Sequence, residues 1–255
     1  MRIPETHRAR FRASLSDPGE VSLLDAASDA LSPRDGMFRG NGMHYYSVGL
    51  SAMRCIRRVL ERTPTTVRTI LDLPCGFGRV LRFLGPAFPQ AHVHACDILR
   101  EGVDCCAADL GATAAYSRPD LDHLELGRRF DLIWCGSLVT HLPLHSTRQL
   151  LRFSARHLQP GGILLFSTHG EFAAGRVRTG KGYGSSQDHV QSALEAFARD
   201  AYGFVPNPRQ PGYGISLTSP GCIRAELSEI CGLEEVDFQA RAWDGHHDVF
   251  AVTRS

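Results

Sequence analysis

The sequence predicts an α/β fold in which a doubly wound sheet of about seven strands is mostly parallel and ends in an antiparallel hairpin. Apolar runs of strand length alternate with helical patterns between residues 67 and 170, which is typical of parallel βαβ units. A glycine-containing turn joins the first of these strands to a helix, as in units that bind nucleotides. Near the C-terminus, the turn dipeptide Asp244-Gly245 separates two strand-like runs, Leu233–Trp243 and His246–Thr253, and this pattern predicts the hairpin.

The N-terminal segment, residues 1–43, is predicted to be a loop-rich arm because it mixes polar residues with glycines and has no long periodic pattern. The main domain is expected to span residues 44–255. It begins with a helix from about His44 to Arg62, where apolar residues recur at roughly helical spacing.

The central motif follows the first predicted strand, Val67–Leu71. This strand ends in a turn that carries residues unsuited to the interior of a helix or strand: Pro74, Gly76 and Gly78. The glycines allow the backbone to pass close to a ligand, and a helix that begins at about Arg79 offers N–H donors to it. A nicotinamide-binding fingerprint would require a third glycine where this chain has Leu81.

An acidic residue at the end of the strand makes the sequence motif more specific than a glycine turn alone. Asp72 lies four residues before Gly76 and completes the pattern Asp-x-x-x-Gly-x-Gly. This pattern resembles motif I of the class I S-adenosylmethionine-dependent methyltransferases, which share a Rossmann-like fold. The resemblance implies that the chain is such an enzyme and that S-adenosylmethionine is its cofactor. It also implies that the turn packs against the methionine part of the cofactor, while Asp72 helps to orient its ammonium group.

A second acid strengthens the resemblance. Asp97 closes the second predicted strand, which begins at Ala91, and lies 21 residues after Gly76. In nucleotide-binding βαβ units an acid at this place accepts hydrogen bonds from the ribose hydroxyls. A helix-capping role for Asp97 is the structural alternative. After the third predicted strand, which ends at residue 116, Ser117 and Asp120 are the two candidates for contact with the adenine.

Further cofactor contacts follow from the resemblance to the same family. They are expected from the residue after Asp97, the glycine turn, the segment after the fourth strand and an aromatic residue of the first helix: Ile98, Pro74, Cys75, Gly136, Ser137 and Tyr46. The segment with Gly136 and Ser137 resembles motif IV of the family. For Tyr46, packing in the core is the structural alternative.

Two histidines are candidates for catalysis. His141 follows the fourth strand, and His169 ends a fifth strand that begins at Ile163. Because ligands bind at the carboxyl ends of the strands in open α/β sheets, the two side chains should converge there. Methyl transfer to a hydroxyl group requires a general base near neutral pH, and histidine suits that role. Either His141 or His169 is the expected base, and His141 has two alternative roles, as a residue that shapes the site or as a neighbour of the cofactor.

Residues 171–219 exceed what a minimal fold needs between its fifth strand and its last helix. A mobile loop (Gly175–Gly184), an amphipathic helix (Val190–Tyr202) and a second loop (Pro206–Gly214) are predicted within them. In class I methyltransferases such an insertion often carries substrate specificity, so it is expected to form a lid. Four side chains are candidates for contact with the substrate: Tyr183, His189, Tyr202 and Tyr213.

Composition limits the partners. The net charge is only +1 and the arginines are scattered, which argues against nucleic-acid binding. No apolar run approaches the ~20 residues of a membrane span, and the polar N-terminus lacks a signal-peptide pattern. We therefore expect a cytoplasmic protein with neither a nucleic-acid nor a membrane partner; its oligomeric state is not predicted.

The eight cysteines lack Cys-x-x-Cys spacing, which favours buried thiols over a disulfide or zinc role.

The predicted acceptor is a small molecule, a secondary metabolite or a sugar, methylated at oxygen or nitrogen. Motifs for methylation of nucleobase amino groups, protein arginines or catechols are not apparent in the sequence. No metal is expected, since the spacings of four histidines match no standard zinc site: His169, His189, His246 and His247. Two alternatives remain open: a methyltransferase acting on RNA or protein, and a non-catalytic protein that binds S-adenosylmethionine.

Overall fold

The computed structural model describes residues 1–179, 187–210 and 212–255. The chain divides into two compact units, residues 1–119 with 130–134 and residues 120–129 with 135–255. Residues 1–43 belong to the first unit. The division into an arm, a domain and an insertion near residues 171–219 stays a prediction.

The first unit contains the N-terminal helices and the strands that carry the predicted nucleotide motifs. Its helices are α1 (Glu5–Ala13), α2 (Pro18–Ala26), α3 (Gly42–Arg62), α4 (Leu81–Ala87) and α5 (Arg100–Leu110). Its strands are β1 (Thr69–Asp72), β2 (His92–Asp97), β3 (Thr113–Tyr116) and β4 (Phe130–Cys135). The last residue of β4 belongs to the second unit.

The second unit contains the remaining elements. Its helices are α6 (Leu144–His157), α7 (Glu171–Arg178), α8 (Gln187–Asp200) and α9 (Pro220–Ser228), with short 3₁₀ helices at Leu121–His123 and Val139–His141. Its strands are β5 (Leu158–Thr168), β6 (Tyr202–Pro206), β7 (Gly214–Thr218), β8 (Leu233–Trp243) and β9 (His247–Arg254). Among the described residues, none of the helices combines the length and the hydrophobicity that a membrane crossing requires.

In the described part of the chain, seven strands form one sheet in the order β3-β2-β1-β4-β5-β9-β8. The pairs β1–β2, β1–β4 and β2–β3 are parallel, whereas β5–β9 and β8–β9 are antiparallel. The predicted fold class, a doubly wound and mostly parallel sheet with a C-terminal antiparallel hairpin, is therefore confirmed. The strand order reverses between β1 and β4, the kind of position at which open α/β sheets bind their ligands.

The expectation of a loop-rich arm in residues 1–43 is wrong, because α1 and α2 lie there. Each helix has nine residues, which is too short for a clear periodic signal and too short for stability without tertiary contacts. The Phe11 ring stacks on Tyr46 with 6.4 Å between centroids. The Arg54 guanidinium donates two hydrogen bonds of 2.6 Å to the Glu20 carboxylate. Contacts with α3 thus stabilise both N-terminal helices.

The structure also differs from the elements predicted within the insertion at residues 171–219. α7 extends through Gly175, so this part of the predicted mobile loop is helical, and residues 180–186 lie outside the described residues. β6 and β7 form a separate antiparallel pair on either side of the predicted loop Pro206–Gly214, and the sequence analysis predicted neither strand. A Cβ on Gly203 would lie 2.0 Å from the Ala193 carbonyl oxygen. The glycine therefore allows β6 to pack closely against α8, a contact that local sequence patterns do not reveal.

A buried arginine fixes the N-terminal segment within the first unit. The Arg82 guanidinium donates to the carbonyl oxygens of Ser28 at 2.7 Å and Ala30 at 3.0 Å. It also donates to the Tyr45 hydroxyl at 3.2 Å, and its Nε donates to the Gly78 carbonyl oxygen at 3.1 Å. One cation therefore links the segment after α2 to α3 and to the glycine turn after β1.

Candidate functional site

The turn after β1 depends on two glycines in the left-handed conformation. Gly76 has a φ of 51° and Gly78 a φ of 81°, and such values are unfavourable for residues with a side chain. A Cβ on Gly78 would lie 2.3 Å from Leu110 Cδ1. The Gly76 N–H donates to Asp97 Oδ2 at 2.8 Å. The turn is therefore held against the carboxyl end of β2.

A third glycine, in α5, also shapes this turn. A Cβ on Gly102 would lie 2.3 Å from the Gly76 carbonyl oxygen, so α5 packs directly on the backbone of the turn. Our interpretation of the sequence missed this contact. The sequence did contain a signal, because Gly102 lies inside a helical segment. A glycine there destabilises a helix by about 1 kcal/mol relative to alanine, so its presence indicates close packing at that position.

Asp72, at the end of β1, has an unsatisfied carboxylate. The residue is 1% exposed, and its Oδ2 atom has no hydrogen-bond partner among the residues that the structure describes. Burial, followed by the negative charge of Asp97, raises the pKa of Asp72 well above its ordinary value. A cationic ligand would offset both the desolvation of this carboxylate and the repulsion between the two acids.

Asp97 does not cap α5, whose N-cap residue is Leu99 without a capping side chain, but its carboxylate accepts two backbone N–H groups. Its Oδ1 accepts from the Leu99 N–H at 2.8 Å, while Oδ2 accepts from Gly76. Each oxygen keeps a second lone pair, so these two bonds leave acceptors for the hydroxyl groups of a ligand. Ile98 is 56% exposed beside this carboxylate, and the Ser117 N–H donates to the Asp97 backbone carbonyl at 2.9 Å. The ends of β2 and β3 thus bring three of the predicted cofactor residues together.

Three other predicted contacts lie in different environments. Tyr46 is fully buried, and its ring packs edge-on against Phe83 with 6.3 Å between centroids, so its position favours core packing over contact with a ligand. Pro74 is half-buried in the turn. Cys75 is buried, and a hydrogen bond with Cys106, followed by burial, raises the pKa of its thiol. The Cys75 side chain therefore belongs to the core, and its backbone belongs to the turn.

The second unit contains the predicted residues that follow β4. Gly136 is buried, and Ser137 is partly exposed with a φ of 59°. The Ser137 N–H donates to Ser167 Oγ at 2.7 Å, and its hydroxyl lies 3.1 Å from Thr140 Oγ1. These bonds fix the loop after β4, whose role at the cofactor stays a prediction.

His141 lies beside His169, as the sequence predicted, with 6.3 Å between ring centroids. Its Nδ1 atom lies 2.7 Å from the Gly214 carbonyl oxygen. Because a carbonyl oxygen only accepts, Nδ1 carries the proton and Nε2 keeps a lone pair. The ring also stacks on Tyr213 with 4.7 Å between centroids. Burial lowers the pKa of His141, partly offset by the hydrogen bond with Gly214, so the neutral imidazole is the stable form near neutral pH.

His169 is less suited to the role of a base. It is 1% exposed, and burial, followed by the neighbouring His141 and His246, lowers its pKa to about 3. A group with so low a pKa accepts a proton poorly at neutral pH. The His169 ring instead packs against His247 and His246, with centroids 4.8 Å and 6.4 Å away. Spacing along the sequence did not reveal this group, because the pairing of β5 with β9 creates it.

The lid candidates also differ from one another. Tyr213 lies against His141, so it is the candidate that the structure places beside a predicted catalytic residue. The Tyr202 hydroxyl accepts from the Leu144 N–H at 2.9 Å, which gives this side chain a structural role. His189 is exposed on α8, and Tyr183 lies outside the described residues.

Comparisons with known proteins locate a family match in the region of these motifs. Residues 70–162 match a family model described as a methyltransferase domain. Over 124 residues the chain is 29% identical to a malonyl-[acyl-carrier protein] O-methyltransferase of Bacillus anthracis, which covers 48% of this chain and 45% of that protein. Over 194 residues it is 27% identical to a dTDP-3-amino-3,6-dideoxy-alpha-D-glucopyranose N,N-dimethyltransferase of Streptomyces fradiae, which covers 68% of this chain and 69% of that protein.

A solved structure shares the fold. The chain matches an amino pentose methyltransferase of Micromonospora echinaspora, solved with its bound cofactor, at a TM-score of 0.59. The match covers 89% of this chain and 98% of that chain, and the sequences are 16% identical, so this likeness concerns the fold alone. The chain spans about half the length, or less, of three malonyl-[acyl-carrier protein] methyltransferases that it matches, at 45%, 37% and 52%.

Replacing Asp72 with asparagine should make the ligand-free protein more stable at pH 7.5. Because the folded-state pKa of Asp72 is raised, the wild-type protein loses stability as the pH rises from about 4 towards that raised value. The neutral amide removes this loss, so the two proteins should differ least near pH 4 and most at neutral pH. Urea unfolding at a series of pH values measures the difference.

Asp131→Asn is the matched control for this measurement. Asp131 Oδ2 accepts from the N–H groups of Arg68 and Thr69 and from the Thr69 hydroxyl, each at 2.9 Å. Its replacement should therefore destabilise the protein, by about 1–2 kcal/mol. An Asp72→Asn protein that is less stable than the wild type at pH 7.5 would show that this carboxylate is satisfied.

Proposed function

We propose that this chain, whose residues 70–162 match a methyltransferase-domain model, is a class I methyltransferase. In this proposal it uses S-adenosylmethionine to methylate a small molecule at oxygen or nitrogen. A secondary metabolite or a sugar is the acceptor class we favour. The buried, unsatisfied carboxylate of Asp72 beside the glycine turn carries this proposal. A cytoplasmic location and the absence of a nucleic-acid or membrane partner are part of it.

The first unit is proposed to hold the cofactor. S-adenosylmethionine carries two cationic groups, an ammonium and a sulfonium, and the orphaned oxygen of Asp72 fits the ammonium. The backbone of Pro74 to Gly78 contacts the methionine part of the cofactor in this proposal. Its close approach is allowed by the absence of side chains on Gly76 and Gly78.

The ribose is proposed to bind at the end of β2. Both Asp97 oxygens already accept one backbone N–H, which holds the carboxylate in place for two vicinal hydroxyl donors. The exposed side chain of Ile98 offers an apolar surface for the adenine, with Ser117 beside it. Gly136 and Ser137 are proposed as further cofactor contacts, whereas Tyr46 is left out of the set because it is buried in the core.

His141 is the residue we propose as general base. S-adenosylmethionine supplies an already activated methyl group, so the protein has to align the acceptor and exclude water. For a hydroxyl acceptor, the His141 Nε2 lone pair can take the departing proton, because Gly214 holds the proton of the ring on Nδ1. Stacking on Tyr213 fixes the plane of the ring. We therefore propose that Tyr213 helps to shape the acceptor site.

Similarity to sugar-modifying enzymes supports a small-molecule acceptor. The Streptomyces fradiae relative, which methylates an amino sugar nucleotide by its name, matches over about two thirds of both chains. Relatives named for malonyl-[acyl-carrier protein] cover 48% and 40% of this chain in two cases and 77% in a third. An acceptor carried on a protein is therefore an outcome that the test has to separate from a free metabolite.

Incubation with methyl-labelled S-adenosylmethionine and a cell extract tests the acceptor class. After separation into metabolite, protein and RNA fractions, we expect the label in the metabolite fraction. Label in the protein or RNA fraction would contradict the small-molecule proposal. Binding of the cofactor with no label in any fraction would favour a non-catalytic protein.

Replacing His141 with glutamine should lower turnover about 100-fold or more with a hydroxyl acceptor, because the side chain no longer accepts the proton. Cofactor affinity, measured by calorimetry, should stay at the wild-type value. His145→Gln is the control, since this exposed histidine lies four residues further along the chain and should leave turnover unchanged. Equal turnover in the His141→Gln and wild-type proteins would remove His141 from the role of base.

A further inference from the structure

We propose that His169, His246 and His247 form a binding site for a divalent transition-metal ion, with Zn²⁺ as the ion that fits best. One ring nitrogen from each of these side chains lies within 4.8 Å of the other two. The proposed methyl transfer does not require these three residues. The two proposals can therefore fail independently.

The backbone of the second unit brings the three side chains together. The antiparallel pairing of β5 with β9 places His169, just beyond β5, beside His247, the first residue of β9, with 4.8 Å between centroids. In the turn between β8 and β9, Asp244 and Gly245 both have positive φ. This turn presents His246 to His247 with 4.2 Å between centroids. Strand pairing and the turn thus form the cluster before any ion binds.

Hydrogen bonds to the second ring nitrogens orient two of the three side chains. His246 Nδ1 lies 2.7 Å from the Asp244 carbonyl oxygen, so Nδ1 carries the proton and Nε2 keeps the lone pair that a metal requires. His247 Nδ1 lies 3.2 Å from Ser167 Oγ. Metal-binding histidines almost always use their second nitrogen in this way, because the bond fixes the tautomer and the ring plane.

The distances are compatible with a tetrahedral site after small movements. Zn–N distances near 2 Å place the ligand nitrogens of a tetrahedral zinc site about 3.4 Å apart. The widest separation in this cluster is therefore at most ~1.4 Å too long. His246 lies on the turn and is less buried than the other two, so a small shift of the turn, which keeps the bond between His246 and Asp244, is the simplest way to close the site.

The donor set also indicates how the ion would be held. Neutral imidazole nitrogens suit zinc and the neighbouring transition metals better than they suit Mg²⁺ or Ca²⁺, which prefer oxygen. Three histidines leave a fourth tetrahedral position, as in zinc sites that bind water or a ligand oxygen. A cluster that serves only to pack the hairpin would have the same neighbours and no affinity for metal, so direct binding measurements distinguish the two roles.

Metal binding by the full chain tests the proposal. The protein is stripped with a chelator and then titrated with Zn²⁺ by calorimetry and with Co²⁺ by visible absorption. The Cys231→Ser background is used because this thiol is exposed and would compete for the metal. We expect one ion per chain, the visible absorption of tetrahedral cobalt and a higher melting temperature with Zn²⁺.

Two further variants decide whether the binding is at this site. His246→Gln should weaken Zn²⁺ binding by at least ~100-fold, while circular dichroism shows that the chain remains folded. His145→Gln removes an exposed histidine elsewhere in the unit and should bind Zn²⁺ as the parent does. The proposal is overturned if the parent protein binds neither ion, or if His246→Gln binds Zn²⁺ with unchanged affinity. Neither readout involves the cofactor or methyl transfer.

Discussion

The hydrogen bonds of one carboxylate organise the proposed cofactor site. Asp97 holds the Gly76 N–H with one oxygen and the Leu99 N–H with the other, so it joins the turn after β1 to the start of α5. The same helix presses Gly102 against the Gly76 carbonyl. Contacts with Asp97 on one side and with Gly102 on the other restrict the conformation of the turn. Asp72, just before the turn, is buried, and no described residue donates a hydrogen bond to its Oδ2 atom. The cost of that buried charge is what a cationic cofactor would offset on binding.

In the second unit, backbone groups similarly fix the tautomer of one histidine and the positions of two others. The Gly214 carbonyl fixes the tautomer of His141, and the antiparallel pairing of β5 with β9 brings His169 and His247 into contact. The two rings have different surroundings. His141 keeps an Nε2 lone pair and stacks on Tyr213, whereas His169 is surrounded by other imidazole rings. Residues of one type thereby receive different proposed roles, one in proton transfer and three in metal binding.

Sequence patterns predicted the main sheet and the motifs because both depend on local signals. Strand periodicity, the glycine turn and the spacing from Gly76 to Asp97 are visible without a structure. The short helices α1 and α2 and the β6–β7 pair escaped prediction, since tertiary contacts such as the ring of Phe11 on Tyr46 stabilise them. The histidine cluster escaped for a related reason, because strand pairing joins residues that are far apart in sequence. Gly102 could be recognised in the sequence as a glycine within a helix, but its contact with the Gly76 carbonyl could be found only from the structure.

Calorimetric titration of S-adenosylmethionine into two glycine variants tests whether the turn held by Asp97 and α5 binds the cofactor. A Cβ at Gly102 must displace the Gly76 carbonyl, whereas a Cβ at Gly85 of α4 meets nothing within 4 Å. Gly102→Ala should therefore bind the cofactor about tenfold more weakly, or worse, than the wild type. Gly85→Ala should bind like the wild type with a stoichiometry of one. Wild-type protein that takes up no cofactor, or Gly102→Ala with unchanged affinity, would show that this turn does not hold the cofactor.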